Sequence, residues 1–149
     1  QSTASQLCIN GGIFYSLRTY AYGTGIVYVS GGDFKYSNFY CYNKGKSSFS
    51  AGKFTECIFY VQNYQCEITM GAEGDVQNSI ICDRCEFESL VAWNAAGSAA
   101  NTTPRINVNQ GVYNKCLFYT EHANGMGVNH NPAINIKGGD FSDRSTRQL

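Results

Sequence analysis

Apolar residues in this chain recur in short alternating runs, and the runs repeat at a fixed distance. Gly11-Gly12-Ile13-Phe14, Gly31-Gly32-Asp33-Phe34 and Ala51-Gly52-Lys53-Phe54 stand 20 residues apart, and Gln110-Gly111-Val112-Tyr113 and Gly138-Gly139-Asp140-Phe141 repeat the phrase. The aromatic anchor of each copy gives the series Phe14, Phe34, Phe54, Cys82, Tyr113 and Phe141, with separations of 20, 20, 28, 31 and 28. Before the glycines lie the pairs Leu7/Ile9, Val27/Val29, Ser47/Phe49, Cys66/Ile68, Ile106/Val108 and Ile134/Ile136. After the anchor come Leu17, Ser37, Cys57, Cys85, Cys116 and Arg144, then Thr19, Phe39, Phe59, Phe87 and Phe118, then Ala21, Cys41, Val61, Ser89 and Thr120. Alternate residues of a strand face the same way, so these sets predict one shared interior.

A period near 20 with strand-type alternation predicts a solenoid in which each coil stacks its strands in parallel on the coil before. Equivalent residues then lie about 4.8 Å apart and form columns along the axis. The glycines fall where the chain turns between strands, a place that suits a residue free to adopt positive φ. The pattern predicts one all-β domain over residues 1–149, of about six coils. Excess residues are expected to leave the stack as loops at 72–79, 90–105 and 121–133, on an edge that solenoids often use for binding.

The G-G-x-F turns and their ladders, from Leu7 to Phe141, resemble those of right-handed parallel β-helix proteins, the group that holds pectate lyases and phage tailspikes. The resemblance implies a right-handed parallel β-helix. It implies no single function, because the fold carries many. Within that group the chain looks most like a piece of a phage tailspike or virion fibre. This implies a homotrimer, assembled in the bacterial cytoplasm and carried on the virion tail, whose partner is bacterial surface polysaccharide.

Composition narrows the alternatives. Sixteen glycines, 14% aromatic residues and two prolines suit an all-β chain. Formal net charge is zero, and basic residues do not interleave with the aromatics, so nucleic acid is not an expected partner. No apolar run is long enough to span a bilayer, and membrane insertion is not expected. The chain opens on Gln1 rather than Met, and a stack of six coils is only about 29 Å tall. Uncapped solenoid ends expose core and strand edge, so the chain is expected to continue in a longer polypeptide or to be capped by sister subunits. Most of the seven cysteines fall on interior columns, where a free thiol serves as a small apolar filler, and this suits assembly in a reducing compartment. Cys82-Asp-Arg-Cys85 has C-x-x-C spacing but no matching second pair, so no zinc or redox site, and no cofactor, is expected.

The outward positions carry the candidate chemistry. Tyr20, Tyr40, Tyr60 and Tyr119 share one column, interrupted by Glu88, and beside them run Arg18, Asn38, Ile58, Glu86 and Leu117. Tyrosines in a column offer apolar ring and polar tip together, which suits a sugar, and equally suits a subunit interface. Glu86 and Glu88 point outward around Phe87, with Cα atoms about 6.6–6.8 Å apart. A glycosidase acid–base pair, which needs carboxyls about 5 to 9.5 Å apart, falls within their reach. Trp93 and Asn94 in the second insertion, Arg105 at its end, and His122 in the third are expected beside the strip. Trp93 would serve as a sugar platform or as a plug for its own loop, and no metal is assigned to His122 and His130. The reading favoured by these positions is polysaccharide recognition without catalysis. A polysaccharide-degrading hydrolase or lyase, and a purely structural trimeric shaft, stand as alternatives.

Overall fold

A computed structural model of the chain describes residues 5–72, 79–92, 102–122, 131–143 and 147–148. Coil one comprises β1 (Gln6–Ile9), β2 (Ile13–Tyr15) and β3 (Arg18–Tyr22), and coil two comprises β4 (Ile26–Val29), β5 (Asp33–Lys35) and β6 (Asn38–Tyr42). Coil three holds β7 (Lys46–Phe49), β8 (Gly52–Thr55) and β9 (Ile58–Gln62), and coil four holds β10 (Glu67–Met70), β11 (Ile80–Asp83) and β12 (Glu86–Val91). Coil five is β13 (Arg105–Val108), β14 (Val112–Asn114) and β15 (Leu117–His122), followed by β16 (Ala133–Ile136) and β17 (Arg147–Gln148). All strand pairing among the described residues is parallel. Sheet 1 runs β1-β4-β7-β10-β13-β16, sheet 2 runs β2-β5-β8-β11-β14, and sheet 3 runs β3-β6-β9-β12-β15-β17. The chain is a right-handed parallel β-helix of about six coils, and no helix occurs among the described residues.

The interior is built from two columns of rings. Phe14, Phe34 and Phe54 stack at 4.9 and 5.1 Å on sheet 2, and Phe39, Phe59, Phe87 and Phe118 stack at 5.2, 4.6 and 4.5 Å on sheet 3. The columns meet edge to face, as between Phe54 and Phe59 at 5.3 Å and 70°. Both arrangements let the ring quadrupoles attract while apolar area leaves water. Cys82 replaces a ring in the sheet 2 column between Phe54 and Tyr113, and above it Tyr113 stacks on Phe141 at 5.0 Å.

Three bends per coil close the triangle. At the first, Gly32 takes φ +125, and a Cβ there would lie 2.8 Å from the Phe34 ring, so the glycine makes room for its own anchor. The second, between sheets 2 and 3, has no glycine. Ser16, Tyr36, Glu56, Arg84 and Lys115 occupy the left-handed region there with φ of 55, 52, 50, 54 and 53. The next residue, Cys57, Cys85 or Cys116, faces the interior and directs its thiol to the carbonyl of the strand before the bend and of the coil beneath, at 3.3–3.5 Å for Cys116 and 3.4 Å to both partners for Cys57.

Register departs from expectation in one place. Ile68 pairs with Ser47 and Ile106, and Met70 with Phe49 and Val108, so the interior pair of coil four is Ile68/Met70 and not Cys66/Ile68. The cause is the preceding corner. It runs from Asn63 to Cys66 where the coil before has only Asn43 to Gly45, and the extra residue displaces Cys66 into the corner. There its Sγ lies 3.0 Å from the Asn63 carbonyl and 3.3 Å from that of Gln62, fully buried.

Candidate functional site

Sheet 3 turns a grid of three outward columns to solvent, set by the alternation of its five- and six-residue strands. The register aligns Arg18, Asn38, Ile58, Glu86 and Leu117; then Tyr20, Tyr40, Tyr60, Glu88 and Tyr119; then Tyr22, Tyr42, Gln62, Leu90 and Glu121. Five rungs span about 19 Å. The four tyrosines and two glutamates expected on this face are therefore brought together. The third column was not anticipated, although Tyr22 and Tyr42 follow Tyr20 and Tyr40 by two residues and so share their parity.

Ring geometry changes what the strip offers. Tyr20 and Tyr40 stack at 5.2 Å and 21°, and Tyr42 lies 6.0 Å from Tyr40 and 6.4 Å from Tyr20, nearly parallel to both. Rings this close cannot lie side by side flat on the sheet, so they overlap in offset stacks and give part of their faces to one another. Tyr60 breaks the stack, standing at 76° to Tyr40 and 60° to Tyr42. Tyr20 and Tyr22, 58% and 65% exposed, retain the most open area.

The hydroxyls are held by polar neighbours. Asn38 Nδ2 donates to Tyr40 Oη at 2.9 Å, Tyr60 Oη donates to Gln62 Oε1 at 2.8 Å, and Tyr119 Oη donates to Glu88 Oε2 at 2.8 Å. Partial burial raises the Glu88 carboxyl above the ordinary glutamate range. The Tyr119 hydroxyl opposes this, and the Glu121 and Glu86 carboxyls add to it, Glu121 also through a shared hydrogen bond. Burial, then the charge on Glu88, likewise raises the Tyr60 phenol. Charge is thus polarised along the axis, with Arg18 on the first rung and the carboxylates on the fourth and fifth.

At the edge of the grid, where the chain leaves sheet 3 for sheet 1, lies an open groove of about 270 Å³ lined by Tyr22, Tyr42, Asn43, Gln62, Asn63 and Tyr64. It contains no charged side chain. Its walls follow from the corner turns, in which Asn43, Lys44, Asn63 and Tyr64 all have left-handed φ.

Other expected members lie elsewhere. Arg105 opens β13 in sheet 1, where its Nε stands 4.0 Å from Glu67 Oε2 and its Nη2 donates to Thr103 Oγ1 at 3.4 Å. It does not face the tyrosines. His122 extends β15 opposite Val91, so its parity differs from that of Tyr119, and it is exposed at the end of the strand. Leu90, Val91 and Glu121 likewise continue strands and are not loop residues. Trp93, Asn94 and His130 lie outside the described residues, as do most of the three insertions. Among the described residues, no three His, Cys, Asp or Glu side chains are placed to hold a metal ion. No family model, curated protein or solved structure matches the chain.

Proposed function

We propose that the chain is a receptor-binding segment of a phage tailspike or related tail fibre, and that sheet 3 holds bacterial surface polysaccharide along the solenoid axis. The observation that carries this reading is the sheet 3 grid itself, in which every coil turns a phenol or a carboxyl group outward and three of the phenols, Tyr40, Tyr60 and Tyr119, are held by amide or carboxyl neighbours at 2.8–2.9 Å. One coil rise is close to the length of one hexose in an extended chain. Successive sugars therefore meet successive rungs, and weak contacts in register add. Sugars bind through hydrogen bonds to planar polar groups and apolar contact with rings, and the Tyr/Asn/Gln groove supplies both at the grid's edge. Homotrimeric assembly in the bacterial cytoplasm and a place on the virion tail follow from the resemblance to tailspikes and belong to the same proposal.

The test is binding of purified capsular polysaccharide and lipopolysaccharide O-chain by the intact parent protein, with product length followed by gel filtration. Binding that falls at least about tenfold in Tyr42→Ala and Tyr60→Ala, with polymer length unchanged, is the expected result. Polymer shortening that disappears in Glu88→Gln would make the protein a depolymerase instead. Polysaccharide ignored by the wild type, with the tyrosine variants failing to assemble, would make the grid a subunit interface. Sedimentation of the parent as monomers only would remove the trimer.

A further inference from the structure

We propose that the corner between sheets 3 and 1 in the first two coils binds the anionic group, carboxylate or phosphate, of an acidic saccharide whose ring lies on Tyr22 and Tyr42. This rests on the saccharide reading of sheet 3 and specifies its ligand. The corner holds a cavity of about 430 Å³ lined by Gly23, Thr24, Ile26, Asn43, Lys44 and Lys46, among others. Asn43 belongs both to it and to the tyrosine groove, so the two spaces adjoin.

Three features give the corner its sign. Asn43 and Lys44 are successive left-handed residues, with φ of 46 and 72, a turn geometry that presents backbone N–H groups to an anion. Corner hydrogen bonds use the N–H of Gly25 (to Tyr22 O, 2.9 Å), Gly45 (to Tyr42 O, 2.9 Å) and Lys46 (to Gly25 O, 3.2 Å). The N–H groups of Thr24, Asn43 and Lys44 donate to no backbone carbonyl among the described residues. Lys44 and Lys46 are exposed residues, and neither has a carboxylate within ion-pair distance among the described residues. Lys46 lies beside Glu67 in the ladder, yet the Glu67 carboxylate is turned to Arg105 on its other side.

Close approach of the coils holds this shape. A Cβ on Gly45 would lie 2.1 Å from the Ala21 carbonyl oxygen, so only glycine lets the second corner rest on the first. The carboxylates of Glu86, Glu88 and Glu121 sit on the fourth and fifth rungs and repel an anion there. An acidic saccharide is therefore placed in one register, with its charge at the low-numbered coils.

The proposal is tested by amide NMR of the ¹⁵N-labelled protein titrated with D-glucuronate, inorganic phosphate and methyl glucoside. Glucuronate is expected to move the amides of Thr24, Asn43 and Lys44 together with that of Tyr42, and phosphate to move the first three alone. Methyl glucoside is expected to act on Tyr42 and Gln62 only, with affinity at least about tenfold below that of glucuronate. The double variant Lys44→Gln, Lys46→Gln should abolish the advantage of glucuronate and leave methyl glucoside unchanged. An advantage that is absent, or that survives the double variant, overturns the acidic-ligand assignment while neutral-sugar binding sustains the saccharide reading. Phosphate shifts without response to either sugar overturn both.

Discussion

Removing one ring from the middle of the sheet 3 column should cost far more than removing one from the first coil. Phe59 is fully buried and touches four rings: Phe39 at 5.2 Å, Phe49 at 5.1 Å, Phe54 at 5.3 Å and Phe87 at 4.6 Å. Phe→Ala in a closed core costs about 3–5 kcal/mol, and aromatic pairing adds to simple burial, so Phe59→Ala belongs at the upper end, about 4–5 kcal/mol. Neighbouring coils cannot collapse into the gap, because their spacing is set by backbone hydrogen bonds on both sides. Phe14 makes the same chemical change in an open setting. It is only partly buried and, among the described residues, stacks on Phe34 alone at 4.9 Å, so Phe14→Ala should cost about 1–2 kcal/mol. Urea unfolding followed by far-ultraviolet circular dichroism reads both. A loss of 4–5 kcal/mol approaches the whole stability of many domains. Phe59→Leu, expected to cost about 1–1.5 kcal/mol, keeps the comparison measurable if the alanine variant does not fold. Equal costs for Phe59→Ala and Phe14→Ala would refute the idea that the ring column is a closed core.

Three further outcomes follow from particular contacts. Gly45→Ala should destabilise by about 2–3 kcal/mol or more, since its Cβ meets the Ala21 carbonyl, and a melting temperature within a degree of wild type would contradict the close approach. The folded state holds the Glu88 proton more tightly than the unfolded chain does, so stability declines as pH rises through the unfolded glutamate range, about 4.3, to the higher folded value. Glu88→Gln cannot ionise, so its melting temperature relative to wild type should be higher at pH 7 than at pH 3.5; the opposite trend would remove the burial argument. Ellman's reagent should titrate one thiol, Cys8, in the native protein and all seven after denaturation. Burial shields the other six and pushes Cys41 and Cys66 up to about 12, and rapid labelling of more than one would show an open core.

The fold was legible because its determinants are periodic and apolar. Phe14, Phe34, Phe54, Cys82 and Tyr113 stand in one column, as their spacing required, and so do Thr19, Phe39, Phe59, Phe87 and Phe118. Less legible were corners that hold no glycine. The bend at Tyr36 or Glu56 uses a left-handed residue with no compositional mark, and the extra residue at Cys66 moved a core pair because the corner length was not periodic. On the surface, alternation gave Tyr20, Tyr40, Tyr60, Glu88 and Tyr119 correctly as neighbours. It gave no ring orientation, which depends on how side chains pack once strands are 4.8 Å apart. Arg105 and His122 were misplaced for one reason: both were assigned to loops, whereas hydrogen bonding carries the strands on to include them.

The 20-residue spacing of the first three coils makes the molecule divisible in whole units. Removing residues 34–53 would set the residue after Asp33 at the sheet 2 anchor as Phe54, stacked on Phe14, and would carry Tyr60 onto Tyr20 with every column intact. A gene encoding such a chain can lose or duplicate one coil with the strand register of the interior kept. The length of the outer face then changes by one rung while its chemistry is preserved, so reach along a polymer becomes a heritable quantity that varies in integers.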